Sequence, residues 1–444
     1  MRIKNYFYKL LHKYISLYVF SSDSMVEIDP RSLGLFKEFS NHEKRILYTC
    51  ALSASLKESS ADYIKLKDLK NHDPDFCLLN GNLHYVMDIQ AYLEDLHLAC
   101  GNDTRLIITY YSSLWRPLFK VATFLQFRSK TPECNWISHE DIDNLLYLSG
   151  FELIKRDNKI LIPFYIPILS NLVNRFLAPL PFLRIFTIVN ILIARPIRES
   201  KKSSLPSVSI IVPARNEAGN IENVILRLPK IGPDTEIIFV EGHSNDDTWQ
   251  KIQEVQKKYG HQHKIISAKQ DGVGKKDAVR KGFSLATKDI FMILDADLTV
   301  SPEDLPKFYQ ALVNNKGEFI NGSRLVYPME KQAMRFMNMV GNKFFAIAFS
   351  FALGQNFKDT LCGTKALFRD NYKKIEAHRY YFGEFDPFGD FDLIFGAARL
   401  GLKIVEIPIL YKERTYGNTN IRRWKHGMIL FSMLIFAARK IKFL

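Results

Sequence analysis

At 444 residues the chain is too long for one typical core, so two domains with extensions are expected. A hydrophobic share of 47% excludes a disordered chain, and five scattered cysteines with no C-x-x-C pair exclude a disulfide framework or zinc ribbon and fit a reducing compartment. The formal charge of +14 suits an anionic partner (nucleic acid, an acidic membrane or a phosphorylated substrate) or simply a solubilising surface, and composition does not choose among them.

Met1 to Phe20 is basic and broken by Lys9, His12, Lys13 and Tyr14, which predicts an amphipathic helix rather than a signal segment. Strands are predicted at Asp75–Leu79, Thr104–Tyr111, Phe151–Arg156 and Lys159–Pro163, with helices at Asp88–Leu98 and His139–Ser149. Ile160 to Ala194 is apolar but punctured by prolines, asparagines and arginines, too interrupted to span a membrane. Glu199 to Pro206 reads as a polar linker. The expected division is 1–165 as a first domain, 166–206 as an apolar connector and linker, 207–420 as a second domain, and 421–444 as a basic amphipathic tail.

Beyond the linker, apolar runs at Val208–Val212, Glu236–Glu241, Ile290–Leu294 and Phe319–Asn321 read as buried strands. Helical stretches at Asn220–Leu228, Thr248–Tyr259, Lys276–Ala286 and Pro302–Asn314 alternate with them. That alternation predicts an α/β unit with a mostly parallel sheet, whose ligand residues stand at the carboxyl ends of the strands. Three such ends are polar: Val212-Pro-Ala-Arg-Asn-Glu217, Phe239-Val-Glu-Gly-His-Ser-Asn-Asp-Asp-Thr248 and Leu294-Asp-Ala-Asp-Leu298. Two carboxylates such as Asp295 and Asp297 at a strand end can hold a hard divalent cation with its phosphates.

In this order the three motifs resemble the GT-A fold (Rossmann-like) of glycosyltransferase family 2. The resemblance implies that Pro213, Glu217 and Glu241 line a nucleoside pocket, and it adds Arg215, Ser244, Lys275 and Asp295 to the donor-binding set. Asp295 and Asp297 would bind Mg²⁺ or Mn²⁺ at the diphosphate of a GDP- or UDP-hexose. The second strand end carries Glu241-Gly242 where the family often has paired aspartates. The run from Gly272 to Gly282 resembles the loop and helix that cover the donor, with Lys275 near the phosphates. Asn321-Gly-Ser-Arg324 and Arg414 are similar to segments of dolichyl-phosphate mannose synthases, and imply Arg324 at the diphosphate and Arg414 near an acceptor phosphate. Where those enzymes carry a lysine downstream, this chain has Asn420. Phe385 to Asp392 supplies acceptor-side carboxylates, and the same alignment selects Asp392, with Asp390 read as either a second carboxylate or a helix cap.

These features imply an inverting, metal-dependent hexosyltransferase using a polyprenyl phosphate; a hydroxyl acceptor on a glycan or glycolipid is the alternative, and a binding scaffold is disfavoured by the intact acidic and basic set. Basic residues from Arg422 to Lys442 flank the apolar Met428–Ala438, with Phe344–Leu353 as a second candidate, which points to peripheral attachment at the anionic cytoplasmic face of the cell membrane. No nucleic-acid platform is found, so nucleic acid is not an expected partner.

The first half, around Asp75–Val86, Asp103–Tyr110 and Ile137–Phe151, resembles a truncated class I methyltransferase. At the place of its Gly-rich cofactor turn stands Ser24-Met-Val-Glu-Ile-Asp-Pro-Arg-Ser-Leu-Gly34, which is read as passing straight into the end of the next strand, without the intervening loop, helix and glycines. This implies a degenerate module in which S-adenosylmethionine is not expected to bind, although a bifunctional methyltransferase–glycosyltransferase is a further alternative.

Overall fold

The computed structural model describes residues 2–40, 43–49, 63–126, 131, 133–198, 204–327, 336–383, 386, 389–414, 416 and 423–444. The chain forms two compact units, Met1–Arg198 together with Ile441–Leu444, and Glu199–Lys440. Most of the predicted linker lies outside the described residues.

The first unit is built on seven strands: β1 (Ser24–Ile28), β2 (Glu43–Leu47), β3 (Tyr63–Ile64), β4 (Phe76–Asn80), β5 (Arg105–Tyr111), β6 (Phe151–Lys159) and β7 (Val189–Pro196). Their order is β3-β2-β1-β4-β5-β7-β6, parallel from β3 to β5, with β7 antiparallel to both of its neighbours. Apolar runs such as Leu106–Ile108 are continuous because both faces of a parallel sheet are covered. Helix Ile89–Ala99 starts where Asp88 Oδ1 accepts from Ala91 N at 3.0 Å, and helix His139–Leu148 starts with a reciprocal capping box between Ser138 and Asp141.

Three expectations are corrected here. Lys159–Pro163 is not a strand; β6 is one strand ending at Lys159. The stretch read as an apolar connector supplies β7, every residue of which is buried. An unalternating apolar run has no period to declare it a strand, and only the gap between β5 and β6 assigns it. Ser24–Ile28 is a strand of its own inside the sheet, between β2 and β4, so Asp29-Pro-Arg-Ser opens the loop after β1 rather than ending the following strand; a short helix, Gly34–Glu38, precedes β2.

The last residues of the chain belong to this unit. Lys442 Nζ lies 2.9 Å from Asp157 Oδ1, whose other oxygen accepts from Tyr18 at 2.6 Å, and Lys155 Nζ stands 3.5 Å away. Burial pushes the Asp157 carboxyl up, but the surrounding ammonium groups outweigh it and hold it well below its ordinary range. Lys442, expected at a membrane, is therefore a buried ion-pair partner.

In the second unit the strands are β8 (Val208–Ala214), β9 (Thr235–Glu241), β10 (Lys264–Lys269), β11 (Ile290–Ile293), β12 (Phe319–Ser323), β13 (Lys365–Phe368) and β14 (Ile404–Pro408), ordered β10-β9-β8-β11-β13-β12-β14. Only β13 runs antiparallel to its neighbours, so the sheet is α/β and mostly parallel as expected. The helices Ile221–Arg227, Thr248–Tyr259, Lys275–Leu285 and Leu305–Val313 fall where the sequence predicts them. β13 is invisible to pattern reading because it is four residues long and contains a fully buried lysine, Lys365.

Two further helices, Phe336–Leu353 and Arg423–Ala437, pack on one another and leave Val340, Phe344, Ile347, Met428, Phe431 and Ile435 exposed. Among the described residues no helix is long and apolar enough to cross a membrane. Arg422 and Asn420 lie outside the described residues.

Candidate active site

The loops after β8 and β9 are laced together by side chains. Asn216, at φ +56°, donates its backbone N–H to Ser244 Oγ at 3.0 Å, and its side-chain oxygen accepts from Asn245 N at 2.8 Å. Glu217 N donates to Thr248 Oγ1 at 2.9 Å. Glu241 Oε1 accepts from Ser244 N at 2.5 Å, so this buried carboxylate shapes the turn that places Ser244. Pro213 is half-buried and Arg215 is exposed beside them, its Cβ next to Gly242. Five of the donor-side residues thus meet at the carboxyl ends of two adjacent strands.

The end of β11 carries Asp295 and Asp297. Asp297 Oδ1 accepts from Thr299 N and Oγ1 at 3.1 and 2.9 Å, which holds the carboxylate in its turn. Its Oδ2 accepts from Arg414 Nη2 at 2.5 Å, and Arg414 Nη1 also reaches Glu217 Oε1 at 3.2 Å. Burial raises the Glu217 carboxyl to about 7; Asn220 and Arg414 pull it down, while Asp297 and Asp246 push it up.

Lys275 opens the helix Lys275–Leu285 after Gly274, whose φ of +93° favours glycine. Its ammonium lies 2.7 Å from Asp295 Oδ1 and 3.8 Å from Asp390 Oδ1. Burial alone would lower the Lys275 ammonium, but Asp295 and Asp390 outweigh it and hold the proton firmly. Gly363 closes against this pair: a Cβ there would fall 2.1 Å from Asp295 Oδ2 and 2.3 Å from Lys275 Nζ.

The acidic segment before helix Phe391–Arg399 divides its work in a way the sequence did not predict. Asp386, not Asp390, caps the helix, its Oδ2 accepting from Phe391 N and Asp392 N at 2.9 and 2.8 Å. Asp390 makes no side-chain cap bond; its Oδ1 faces Lys365 at 3.4 Å as well as Lys275, and has no hydrogen-bond partner among the described residues. Asp392, the expected acceptor-side carboxylate, is held by Arg280 Nη2 and Arg379 Nε at 2.9 Å each. Phe385 lies outside the described residues. The sequence leaves Asp390 as either a second carboxylate or a helix cap because Asp390 and Asp392 both sit at a helix start, and only the turn's geometry separates them.

Arg324 follows β12 and is gripped by Asp359, with Nε to Oδ2 at 2.6 Å and Nη2 to Oδ1 at 2.9 Å, while its guanidinium lies over the Tyr411 ring at 5.1 Å. Its five donors are partly spent inside the protein rather than all free for phosphate.

Among the described residues no group of three or more His, Cys, Asp and Glu is placed to hold a metal ion. Asp295 and Asp297 nevertheless fit Mg²⁺ or Mn²⁺, which needs only one or two carboxylates when phosphate oxygens and water complete the shell. In the structure each carboxylate answers a side-chain cation instead, Lys275 or Arg414. A cluster of carboxylates and cations in one strand-end crevice is suited to a phosphorylated, metal-bearing ligand.

Residues 209–376 match the family described as Glycosyl transferase family 2. The chain is 30% identical to a dolichol-phosphate mannosyltransferase of Pyrococcus furiosus over 241 residues, covering 53% of this chain and 64% of that protein. It is 27% identical over 223 residues to an undecaprenyl-phosphate mannosyltransferase of Micrococcus luteus, covering 48% of this chain and 87% of the other. A crystal structure of glucosyl-3-phosphoglycerate synthase from Mycobacterium tuberculosis, in complex with Mn²⁺, uridine diphosphate and glucosyl-3-phosphoglycerate, aligns over 53% of this chain and 80% of its own with 18% identity and a TM-score of 0.39. Residues 209–376 of the second unit are thus similar to family 2 glycosyltransferases, and they lie on an α/β, mostly parallel sheet.

Proposed function

We propose that this domain transfers a hexose from a nucleoside diphosphate sugar to the phosphate of a polyprenyl lipid, with inversion at the anomeric carbon. The observation that carries the reading is the pair of ion pairs at the end of β11, Lys275 with Asp295 and Arg414 with Asp297. A divalent ion held by Asp295 and Asp297 would neutralise the charge that builds on the departing diphosphate. Lys275 is positioned to follow that diphosphate, since donor binding would release it from Asp295. Arg414 would move from Asp297 to the incoming acceptor phosphate. An anionic acceptor is already nucleophilic, so positioning and charge screening are the main tasks of the protein. The names of the two transferases, and the apolar side chains exposed on helices Phe336–Leu353 and Arg423–Ala437, support a lipid acceptor taken at a membrane surface.

The test incubates the full chain with labelled nucleotide hexoses, Mn²⁺ and a polyprenyl phosphate. A solvent-extractable sugar phosphate is expected with one donor; its absence with every common donor sinks the reading. A hydroxyl acceptor is favoured by one observation, the unbonded Oδ1 of Asp390, which could serve as a general base. Transfer to glycan or glycolipid acceptors only would select it.

For the first unit we propose a degenerate methyltransferase-like module. The support is its strand order, with the one antiparallel strand inserted next to the edge, and the cofactor turn replaced by Asp29-Pro-Arg-Ser. Titration with S-adenosylmethionine is expected to give no heat, and measurable affinity overturns the degenerate reading.

A further inference from the structure

We infer that the first unit docks on an anionic lipid bilayer through a monotopic surface formed by residues 164–186 and helix Arg116–Phe124, independently of any transferase activity and of the basic tail.

The segment 164–186 is inverted in polarity. Two of its polar side chains, Asn174 and Ser170, point inward: Asn174 is 1% exposed, accepts from Leu161 N and Ile162 N at 2.8 and 2.9 Å, and donates to Ile162 O at 2.8 Å. Ser170 is fully buried, donates to Phe164 O at 2.8 Å and accepts from Ile166 N at 2.7 Å. These bonds pin the segment, so its outward side chains are held rather than loosely displayed. Apart from Asn171, Arg175 and Arg184, those side chains are largely apolar: Ile168 is 80% exposed, Phe182 85% and Ile185 62%.

The neighbouring helix continues the patch. Trp115 Nε1 donates to Phe186 O at 3.0 Å, which ties the start of helix Arg116–Phe124 to the segment. That helix has no buried residue, and Phe124 at its end is 86% exposed. An apolar surface of this extent is far more than scattered exposure, and it needs a partner.

Charge identifies that partner. The sequence has no Asp or Glu from residue 104 to 132 or from 158 to 198. Arg116, Lys120, Arg175 and Arg184, all exposed, lie within those stretches. Along these stretches apolar and aromatic side chains are accompanied by cations and by no acid, a pattern that matches the headgroup region of an anionic leaflet, where each basic residue adds attraction. The helix is nine residues long, far below the length of a span, so the surface lies on the bilayer rather than crossing it.

The test uses the full chain, with vesicles of phosphatidylcholine with or without phosphatidylglycerol. Flotation with the anionic vesicles is expected, and the pair Phe182→Glu with Ile185→Glu should reduce partition at least ~10-fold, while Phe182→Leu with Ile185→Leu retains it. Circular dichroism melts establish that both variants fold. Because the second unit could hold the protein on vesicles by itself, a fluorophore is placed at Phe182→Cys in a Cys50→Ser, Cys134→Ser background. Quenching of that fluorophore by brominated lipid is expected. Flotation without quenching, or unchanged partition of the folded Glu pair, overturns the inference. A wild-type dimer in light scattering that the Glu pair converts to monomer also overturns it, in favour of a second copy of the chain covering this face.

Discussion

Arg414 Nη2 lies 2.5 Å from Asp297 Oδ2, an ion pair joining positions 117 residues apart in the chain. It places a side-chain cation on one of the two carboxylates proposed to hold a metal. Asp297→Ala is therefore expected to abolish Mn²⁺-dependent nucleotide binding and to lower transfer by at least ~100-fold, since a metal ion contributes several kcal/mol to charge stabilisation. Calorimetry with and without Mn²⁺ reads the binding, and full activity in the variant would remove the metal from the account.

Asp390 and Asp392 should separate cleanly. Asp390→Asn removes the charge facing Lys275 and Lys365, and is expected to lower kcat at least ~10-fold with little change in melting temperature. Asp392→Asn leaves Arg280 and Arg379 without their shared carboxylate, and is expected to cost about 3 kcal/mol of stability in urea melts. If Asp392→Asn instead spares stability and removes activity, the roles are reversed.

Gly363 is a steric probe of the same crevice. Gly363→Ala would set a methyl 2.1 Å from Asp295 Oδ2, so either that carboxylate or Lys275 must move. Donor affinity is expected to fall at least ~10-fold with the overall fold retained. Unchanged affinity would show that the crevice opens on binding.

Asp359 tests whether the Arg324 clamp is structural. The carboxylate is fully buried and grips the guanidinium through two bonds. Asp359→Ala strands a largely buried positive charge and is expected to destabilise the protein by about 3–5 kcal/mol. A smaller loss accompanied by weaker donor binding would make Arg324 a phosphate ligand first.

Glu27 predicts a pH dependence in the first unit. It is fully buried on β1, and burial, opposed by Asn80 and Lys44, pushes it up to about 8 from 4.5. The folded state thus binds the proton more tightly than the unfolded chain. Its contribution is fully present below about 4.5 and is lost as pH rises toward about 8, at about 1.4 kcal/mol for each pH unit crossed. Glu27→Gln should flatten the fall in stability across that window, measured by urea melts at several pH values. A slope unchanged by the substitution assigns it elsewhere.

The sequence by itself determined the second unit's strand ends. Asp295, Asp297, Glu217 and Glu241 follow apolar runs long enough to declare buried strands, and a parallel sheet necessarily brings such ends together. Helix starts with a local chemical signature, such as Ser138 with Asp141, were legible for the same reason: their partners are three residues apart. The tertiary structure alone decided what depends on distant partners. It placed Val189–Pro196 inside a sheet, buried Lys442 against Asp157, and gave the cap to Asp386 so that Asp390 could face Lys275. Periodicity and spacing report a residue's local environment. Which of several neighbouring charges meets a given ion is fixed only when strands far apart in the chain close on one another.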